Sequence, residues 1–342
     1  MKVFDAMTAK LNQPSEALVE QASEGYLDEQ THASIKAALA RLDNTILGKP
    51  LVIKKAFACL IAGGHLLFND LPGLGKTTLS KALADALGLS FKRVQFTSDL
   101  LPADLLGTNL YDPAKVSFNF RPGPVFSQVL LADEINRAPA RTQSALLEAM
   151  AEQQVSVDGV SYPLDDDFSV IATQNPQEQA GAYALPESQL DRFMMCLQLG
   201  YPSFDSEMDM LKSGDTNAST GSSALDPSSS LVSPLSLSDL KAKVRGVYAS
   251  DEVLAYAVRL VHATRSREMN LAYGVSPRGT KALVQAAKAW ALIEGRLFVV
   301  PEDIQAVAAD VFAHRLPIEH TQEAQSLVAR LLAQVSVEQD RG

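Results

Sequence analysis

A short glycine-rich run, DLPGLGKTT at residues 70–78, carries the residue types of a phosphate-binding loop. Gly73 and Gly75 let the backbone curl so that several N–H groups point inward at an anion. Lys76 follows where it can reach the terminal phosphates of a nucleotide, and Thr77 supplies a hydroxyl suited to Mg²⁺. The run therefore predicts binding of ATP or GTP together with Mg²⁺. The predicted nucleotide-binding residues are Leu71, Pro72, Gly73, Leu74, Gly75, Lys76, Thr77 and Thr78.

Asp70 departs from the P-loop pattern, which has glycine at this position. An acidic side chain here must turn away from the phosphates or be neutralised. A chance Gly-Lys-Thr in a loop is the alternative interpretation. A strand before the glycines and an amphipathic helix from Thr77 onward stand in the order that a P-loop requires, and this order favours a nucleotide site.

Two carboxylates and one amide follow apolar strands further along the chain. The run VLLADE at residues 129–134 is typical of a buried parallel strand and ends in Asp133 and Glu134. Because ligands gather at the carboxyl ends of such strands, Asp133 is predicted to hold Mg²⁺ and Glu134 to deprotonate the attacking water. Asn175 follows the next strand, where its amide can hold that water or a γ-phosphate oxygen. Taken alone, these segments are also compatible with a solvated acidic turn and an ordinary Asn-Pro turn.

Two arginines are further candidates for contact with phosphate. Ser276 and Pro277 are typical of the first residues of a helix, which puts Arg278 in the first turn, where a cation opposes the helix dipole. A nearby phosphate would account for that placement. Arg192 follows a predicted short helix, and by itself it is typical of a surface or salt-bridge residue.

Hydrophobic patterning predicts the elements that position these residues. Strands and helices alternate over residues 32–203, which predicts an α/β core with a parallel sheet covered by helices on both faces. Helical spacing over residues 236–342 predicts a small all-helical lid domain. Residues 1–31 are expected to form an N-terminal helical extension. Residues 204–235 are expected to connect core and lid through a Ser-rich flexible linker at 213–234.

The run VSVDGVSYPL at residues 155–164 predicts a β-hairpin with an Asp-Gly turn. A hairpin on the rim of the core is a candidate for contact with a pore or a client protein. A purely structural hairpin is an equally good interpretation of the same pattern.

The composition argues against several classes of protein. The chain has 342 residues and a formal net charge of −10, which disfavours a general nucleic-acid surface, and its aromatic content of 6% offers few stacking platforms. Its two cysteines, Cys59 and Cys196, suit a reducing compartment and are expected to be inert core residues. Neither a signal peptide nor an apolar run of roughly 18 residues is found. We therefore expect a cytoplasmic protein with no membrane span and no nucleic-acid partner.

The ordered set DLPGLGKT, LLADEINRAPARTQSALLEAM, IATQNP, LPESQLDRF and GVSPR resembles the MoxR family of AAA+ ATPases. The resemblance covers residues from about 47 to about 315, and residues 95–107 and 120–126 resemble that family's insertion near the second helix of the core. It implies a P-loop AAA+ core followed by a helical lid, and an ATPase that hydrolyses ATP to ADP and phosphate. It further implies a homo-oligomeric ring, most often a hexamer, that remodels or matures partner proteins, often ones with a von Willebrand factor A domain.

The resemblance also implies roles for the residues of the predicted core site. Lys76 and Thr77 match the Walker A pair, and Asp133 and Glu134 match the Walker B pair. Asn175 matches sensor 1.

Further roles fall on residues outside the strand ends. Arg192 matches the arginine finger, which acts on the neighbouring subunit's nucleotide, and Arg278 matches sensor 2, which the lid carries over the nucleotide. Arg137 and Arg141 are alternative fingers. The segment that usually flanks adenine is matched by Ile46, Leu47 and Gly48.

Three other functions remain compatible with these patterns. A nucleotide-dependent binding switch with little turnover is disfavoured by the presence of Glu134 and Asn175. A DNA-acting AAA+ motor is disfavoured by the acidic net charge. A small-molecule kinase is disfavoured by the sensor and lid signals.

Overall fold

The computed structural model describes residues 25–175, 183–212, 235–318 and 320–337. Most of the predicted N-terminal extension and the whole of the predicted Ser-rich linker, residues 213–234, lie outside these ranges. Helix α1 begins at Glu29, so the predicted start of the core at residue 32 falls inside this helix. None of the helices in the described ranges is long and apolar enough to cross a membrane.

The described residues form nine strands, five of which make one parallel sheet. The nine strands are β1 (Leu66–Asn69), β2 (Phe91–Gln95), β3 (Gly107–Asp112), β4 (Ser117–Pro122), β5 (Val129–Asp133), β6 (Gln154–Val157), β7 (Val160–Pro163), β8 (Ser169–Gln174) and β9 (Met195–Leu197). The parallel sheet has the order β2-β5-β8-β1-β9. This order brings the carboxyl ends of β1, β8 and β5 together at one edge, next to that of β2.

Twelve α-helices lie within the described residues. They are α1 (Glu29–Thr45), α2 (Pro50–Ile61), α3 (Lys76–Ala86), α4 (Pro102–Leu106), α5 (Ala140–Glu152), α6 (Glu187–Leu190), α7 (Phe204–Lys212), α8 (Leu237–Gly246), α9 (Asp251–Thr264), α10 (Pro277–Ile293), α11 (Pro301–Phe312) and α12 (Thr321–Gln334). Together with the sheet they confirm the predicted fold class, an α/β core followed by an all-helical lid.

The two faces of the sheet pack against different helices. Strand residues alternate between the faces, so Leu66 joins an apolar cluster with α1, α2 and α3, whereas Leu67 joins a second cluster with α5. The first cluster continues into the lid and includes Leu283 and Trp290 of α10. The lid is therefore fastened to the core by a shared apolar interior. Both cysteines are buried as expected, Cys59 in this first cluster and Cys196 in the second.

Two short antiparallel hairpins project from the core. The β6–β7 hairpin confirms the predicted Asp-Gly turn, since Asp158 and Gly159 both have positive φ angles, 50° and 81°. The β3–β4 hairpin lies between the two segments that resemble the family's insertion and overlaps both, and its Phe120 ring stacks on Tyr162 of β7 with centroids 3.9 Å apart. The ring contact holds the two hairpins against each other.

Polar contacts supplement the apolar contact between core and lid. Lys55 of α2 forms an ion pair with Asp310 of α11 at 2.5 Å, and both side chains are mostly buried. The ammonium group of Lys54 lies 4.4 Å from the centroid of the Trp290 ring, a cation–π distance. Desolvation raises the pKa of Asp310, and the adjacent Lys55 opposes that shift.

Candidate active site

The predicted phosphate loop lies between β1 and α3, at the carboxyl edge of the sheet. Gly73 and Gly75 have φ angles of 83° and 86°, a region that side chains with a Cβ avoid, and Gly75 caps α3. The loop borders a cavity of about 380 Å³. The predicted residues that line this cavity are Pro72, Gly73, Gly75, Lys76, Thr77, Thr78, Asp133, Glu134 and Asn175. The N-terminus of α3, the curled backbone of the loop and the ammonium group of Lys76 therefore face the same cavity, as phosphate binding requires.

Lys76 is buried and held by the loop itself. Its Nζ donates to the backbone oxygens of Asp70 at 2.8 Å and Leu71 at 2.5 Å. Desolvation lowers the pKa of Lys76, and the negative charges of Asp70, Asp133 and Glu134 oppose that shift. An ammonium group has three protons to donate. The two contacts with the loop orient the Lys76 side chain and leave the third proton for a phosphate oxygen.

Asp133 is held by two residues of the strands on either side of β5. Its Oδ1 accepts a hydrogen bond from the Thr173 hydroxyl at 2.5 Å, and its Oδ2 accepts one from Arg93 at 2.6 Å. Thr173 is almost fully buried, so its contact is a fixed part of the site. Arg93 is half exposed, so its ion pair with Asp133 is the exchangeable contact.

Glu134 occupies a backbone conformation that is uncommon for residues other than glycine, with φ of 57°. Its N–H donates to the Thr173 hydroxyl oxygen at 2.8 Å, which fixes this turn. Its carboxylate accepts hydrogen bonds from Gln95 at 2.6 Å and Arg137 at 2.9 Å. The predicted base is therefore aimed at the cavity but restrained by two donors.

The oxygen ligands of this cavity fit Mg²⁺. The described residues contain no group of three or more His, Cys, Asp or Glu side chains that could cage a metal ion. Mg²⁺ takes few protein ligands and keeps several waters and phosphate oxygens, so one hydroxyl and one carboxylate suffice. Thr77 and Asp133 both line the cavity and are the residues that would hold it.

The segment predicted to flank adenine lies between α1 and α2, next to the phosphate loop. Ile46 is buried, and its Cδ1 is 3.5 Å from the position that a Cβ on Gly75 would take. Gly48 has φ of 76° and lies directly against Ser206 of α7. Leu47 is half buried between them. Of the predicted loop residues, Leu71 and Leu74 are also half buried.

The structure does not place Arg278 over the nucleotide site of its own chain, as the predicted sensor role implied. Arg192 and Arg278 both line a second cavity, of about 310 Å³, instead of the phosphate cavity. Arg192 Nη1 donates to the backbone oxygen of Leu147 at 2.6 Å, and Arg278 is exposed at the start of α10. This second cavity is also lined by Gly63, Gly64 and His65, which precede β1, whereas the phosphate loop follows β1, so the two arginines lie together at the opposite end of that strand.

A buried ion pair fixes the arginines relative to each other. Asp191, the neighbour of Arg192, accepts hydrogen bonds from Arg315 Nε at 2.8 Å and from the Ser276 hydroxyl at 2.9 Å. Ser276 also caps α10, as predicted, by accepting the N–H of Gly279 at 3.1 Å. The loop that bears Arg192 is thus tied to the helix end that bears the second arginine.

The two alternative fingers differ in their surroundings. Arg137 forms an ion pair with Glu134 of its own chain, so part of its donor capacity is already used. Arg141 is exposed at the start of α5.

Sequence patterns missed four residues that line the phosphate cavity: Arg93, Gln95, Thr173 and Gln174. Arg93 and Gln95 lie on β2, and their position beside β5 depends on the strand order, which no local motif encodes. Thr173 lies two residues before Asn175, near the end of the strand that pairs with β5. Its hydroxyl could therefore have been predicted to lie near Asp133 from the same pattern that predicted Asn175.

Comparison with known proteins places this site in a family. The model for the ATPase family associated with various cellular activities (AAA) matches residues 65–195, and the model for the AAA lid domain matches residues 262–332. YeaC of Bacillus subtilis (strain 168), itself uncharacterised, is 40% identical over 90% of this chain and 96% of its own length. Chaperone MoxR1 of Mycobacterium tuberculosis is 37% identical over 84% of this chain and 76% of its own length. The crystal structure of a Cytophaga hutchinsonii protein assigned as an ATPase is similar with a TM-score of 0.78 and 35% identity, covering 94% of this chain and 99% of that one.

Proposed function

This chain belongs to the MoxR family of AAA+ ATPases, and we propose that it hydrolyses ATP to ADP and phosphate in order to remodel or mature partner proteins. It is an ATPase and a P-loop NTPase of the chaperone-like kind. The observation that carries the proposal is the convergence of Lys76, Asp133, Glu134 and Asn175 on one cavity. A phosphate-binding cation, a metal-holding carboxylate, a base and a water-holding amide are the groups that ATP hydrolysis needs.

Each residue has one task in the proposed reaction. Lys76 and the curled loop bind the phosphates, while Asn175 orients the attacking water and Glu134 takes its proton. When bound, Mg²⁺ supplies positive charge that offsets the phosphates, and Thr77 and Asp133 would hold it. Both donors, Gln95 and Arg137, contact Oε2 of Glu134, so Oε1 is the oxygen that would take the proton.

The active site is proposed to be completed by a neighbouring copy of the chain. The basic cluster, defined as Arg192, Arg278, Lys281 and Arg315, lines the second cavity, where Asp191 is the single acidic residue among those that line it. Arg315 is buried in an ion pair with Asp191, so Arg192, Arg278 and Lys281 are the cations that make this surface suited to an anion. None of the four lines the phosphate cavity of its own chain, so a nucleotide bound by a second copy is the anion that the cluster is placed to meet. A ring, most often a hexamer in this family, would bring every cluster to a neighbouring nucleotide.

The partner and compartment are proposed from the family. The name of MoxR1 includes the word chaperone, which supports a role in remodelling other proteins. We propose a client with a von Willebrand factor A domain and a cytoplasmic location. The core, connecting segment and lid are proposed to act as the domains at 32–203, 204–235 and 236–342, with the N-terminal extension at 1–31. Client contact by the β6–β7 hairpin remains a further proposal.

Mixing inactive variants tests the shared site. Arg192→Ala and Arg278→Ala should each bind ATP yet hydrolyse it poorly, because these arginines act on the transition state of the neighbour. Lys76→Ala loses its own phosphate loop but keeps its basic cluster. Mixed with either arginine variant, it should restore part of the ATPase activity, since some interfaces then combine an intact loop with an intact cluster.

Subunit exchange must be shown with tagged chains in the same mixtures. If exchange occurs and neither mixture gains activity, the shared site built on Arg192 and Arg278 is wrong, and Arg137→Ala and Arg141→Ala become the next variants to mix. Glu134→Gln should bind ATP with little turnover, and wild-type turnover would contradict its role as the base. The same variant with ATP serves as bait to capture the client.

A further inference from the structure

Asp70, the residue that breaks the P-loop pattern, faces away from the phosphate cavity. It is buried, and its carboxylate accepts two backbone hydrogen bonds: one from Leu71 at 3.1 Å and one from Gly200 at 2.8 Å. Gly200 lies in the connector, defined as residues 198–203, which joins β9 to α7 and leads from the core toward the lid. Asp70 therefore ties the first residue of the phosphate loop to the connector.

The preceding residue, Asn69, makes a parallel contact with the lid. Its amide nitrogen donates to the Thr321 hydroxyl at 3.1 Å, and Thr321 is the first residue of α12. The oxygen of the same amide is buried and has no hydrogen-bond partner among the described residues. Two adjacent side chains at the start of one loop thus reach two different elements outside the sheet.

Asp70 also contacts two residues that line the phosphate cavity, Lys76 and Gln174. The backbone oxygen of Asp70 accepts a hydrogen bond from Lys76 Nζ at 2.8 Å, and its backbone N–H donates to Gln174 at 3.1 Å. Gln174 precedes Asn175, the predicted sensor. A phosphate that accepts the third proton of Lys76 pulls on the ammonium group that the backbone oxygen of Asp70 also holds, so a bound nucleotide changes the forces on Asp70.

The connector is held at a second point by Lys49, the residue that follows the segment predicted to flank adenine. Lys49 donates to the backbone oxygen of Tyr201 at 2.6 Å, and Gly48 packs against Ser206 of α7. Both ends of a bound nucleotide would therefore adjoin residues that contact the connector or the helix after it.

We propose that Asn69 and Asp70 are positioning residues that couple nucleotide binding in the phosphate loop to the lid and the connector of the same chain. Asp70 passes the change caused by nucleotide binding to the connector through its hydrogen bond with Gly200. Asn69 passes it to the lid through its hydrogen bond with Thr321. The lid also carries Arg278, so the coupling would pass the state of one nucleotide site on to the neighbouring one. This last step rests on the proposed function, whereas the coupling within one chain does not.

Hydrogen exchange measured by mass spectrometry, with and without ADP, tests the coupling. In the wild-type chain, ADP should slow exchange both in the connector and in the first turn of α12. Asp70→Gly recreates the glycine of the P-loop pattern, so it should still bind ADP in a titration. Its Gly200 amide should exchange about tenfold faster, the effect of losing a hydrogen bond to a charged acceptor, and the connector should no longer respond to ADP.

Thr321→Val should give the reverse pattern, because it removes the hydroxyl with little change in shape. The response of α12 should be lost and that of the connector kept. Asp70→Asn keeps one good acceptor and should retain part of the connector response. Asp28→Asn is the matched control, since Asp28 also accepts a backbone N–H, that of Thr31 at 2.8 Å, but lies far along the chain from the loop.

If Asn69 and Asp70 had a purely structural role, the variants would exchange faster, but ADP would still slow exchange in both the connector and the first turn of α12. That result, or a wild-type chain that binds ADP without any response in either segment, would overturn the coupling. The experiment depends on binding and not on hydrolysis, so it is decided independently of the mixing experiment on the shared site.

Discussion

His65 should make the folded protein sensitive to mild acid. It is buried just before β1, where its Nδ1 accepts the N–H of Val170 at 3.0 Å and its Nε2 faces the backbone oxygen of Met150 at 3.3 Å. A proton on Nδ1 would point at the Val170 N–H and remove the acceptor that this N–H uses, so protonation of His65 is opposed in the folded chain. Burial, together with the charge of Lys241, lowers the pKa of His65 from 6.5 to about 4.

The sign and size of the effect follow from linkage. Between pH 6.5 and about 4 the unfolded chain binds a proton at His65 that the folded chain does not, so the free energy of unfolding falls as the pH falls. The gap between the two pKa values corresponds to about 3 kcal/mol, at 1.36 kcal/mol per pH unit. The buried His314, whose pKa is also lowered by burial, acts in the same direction. A variant is therefore needed to isolate His65.

Asparagine at position 65 keeps an acceptor for the Val170 N–H and cannot titrate. Urea unfolding, followed by the fluorescence of the single tryptophan, Trp290, should show a flatter dependence on pH for His65→Asn than for wild type between pH 6.5 and 4. The slope is the readout, because the substitution also changes stability at pH 7. His262→Asn, at an exposed position on α9, is the control and should leave the slope unchanged. Equal slopes for wild type and His65→Asn would refute the argument.

Three other outcomes are expected from buried groups. Burial raises the pKa of Cys59 and Cys196 to about 12, so neither thiol should react with iodoacetamide at pH 8 until urea unfolds the chain, as mass spectrometry can check. Asp191→Ala should lower the free energy of unfolding by about 3–5 kcal/mol in urea titrations, because it leaves the buried Arg315 without its carboxylate; a loss within error would contradict the ion pair's role. Gly279→Ala should lower the free energy of unfolding by about 1–3 kcal/mol in the same assay, since its Cβ would lie 3.0 Å from Arg315 Cδ and closer still to Val275 Cγ1; an unchanged midpoint would contradict this close packing.

Local patterns in the sequence determined much of this protein. The phosphate loop, the two carboxylates after β5 and the Ser276 cap were all predictable, because each depends on a few adjacent residues whose backbone geometry and chemistry are set locally. The fold class followed from the alternation of strands and helices, and the Asp158–Gly159 turn followed from its residue types.

The tertiary structure decided which of these pieces meet. Arg93 and Gln95 reach the carboxylates because β2 pairs with β5, a non-local choice that no motif in the chain encodes. Arg278 meets Arg192 away from its own phosphate loop because the lid docks through a shared apolar core, whose packing depends on the volumes of many side chains at once. Asp70 could be predicted to turn away from the phosphates, but its partner, Gly200, is set by the path of the connector beside β1. Local chemistry is encoded by neighbours in the sequence, whereas the assembly of a site from separate strands and a lid depends on packing that only the folded chain defines.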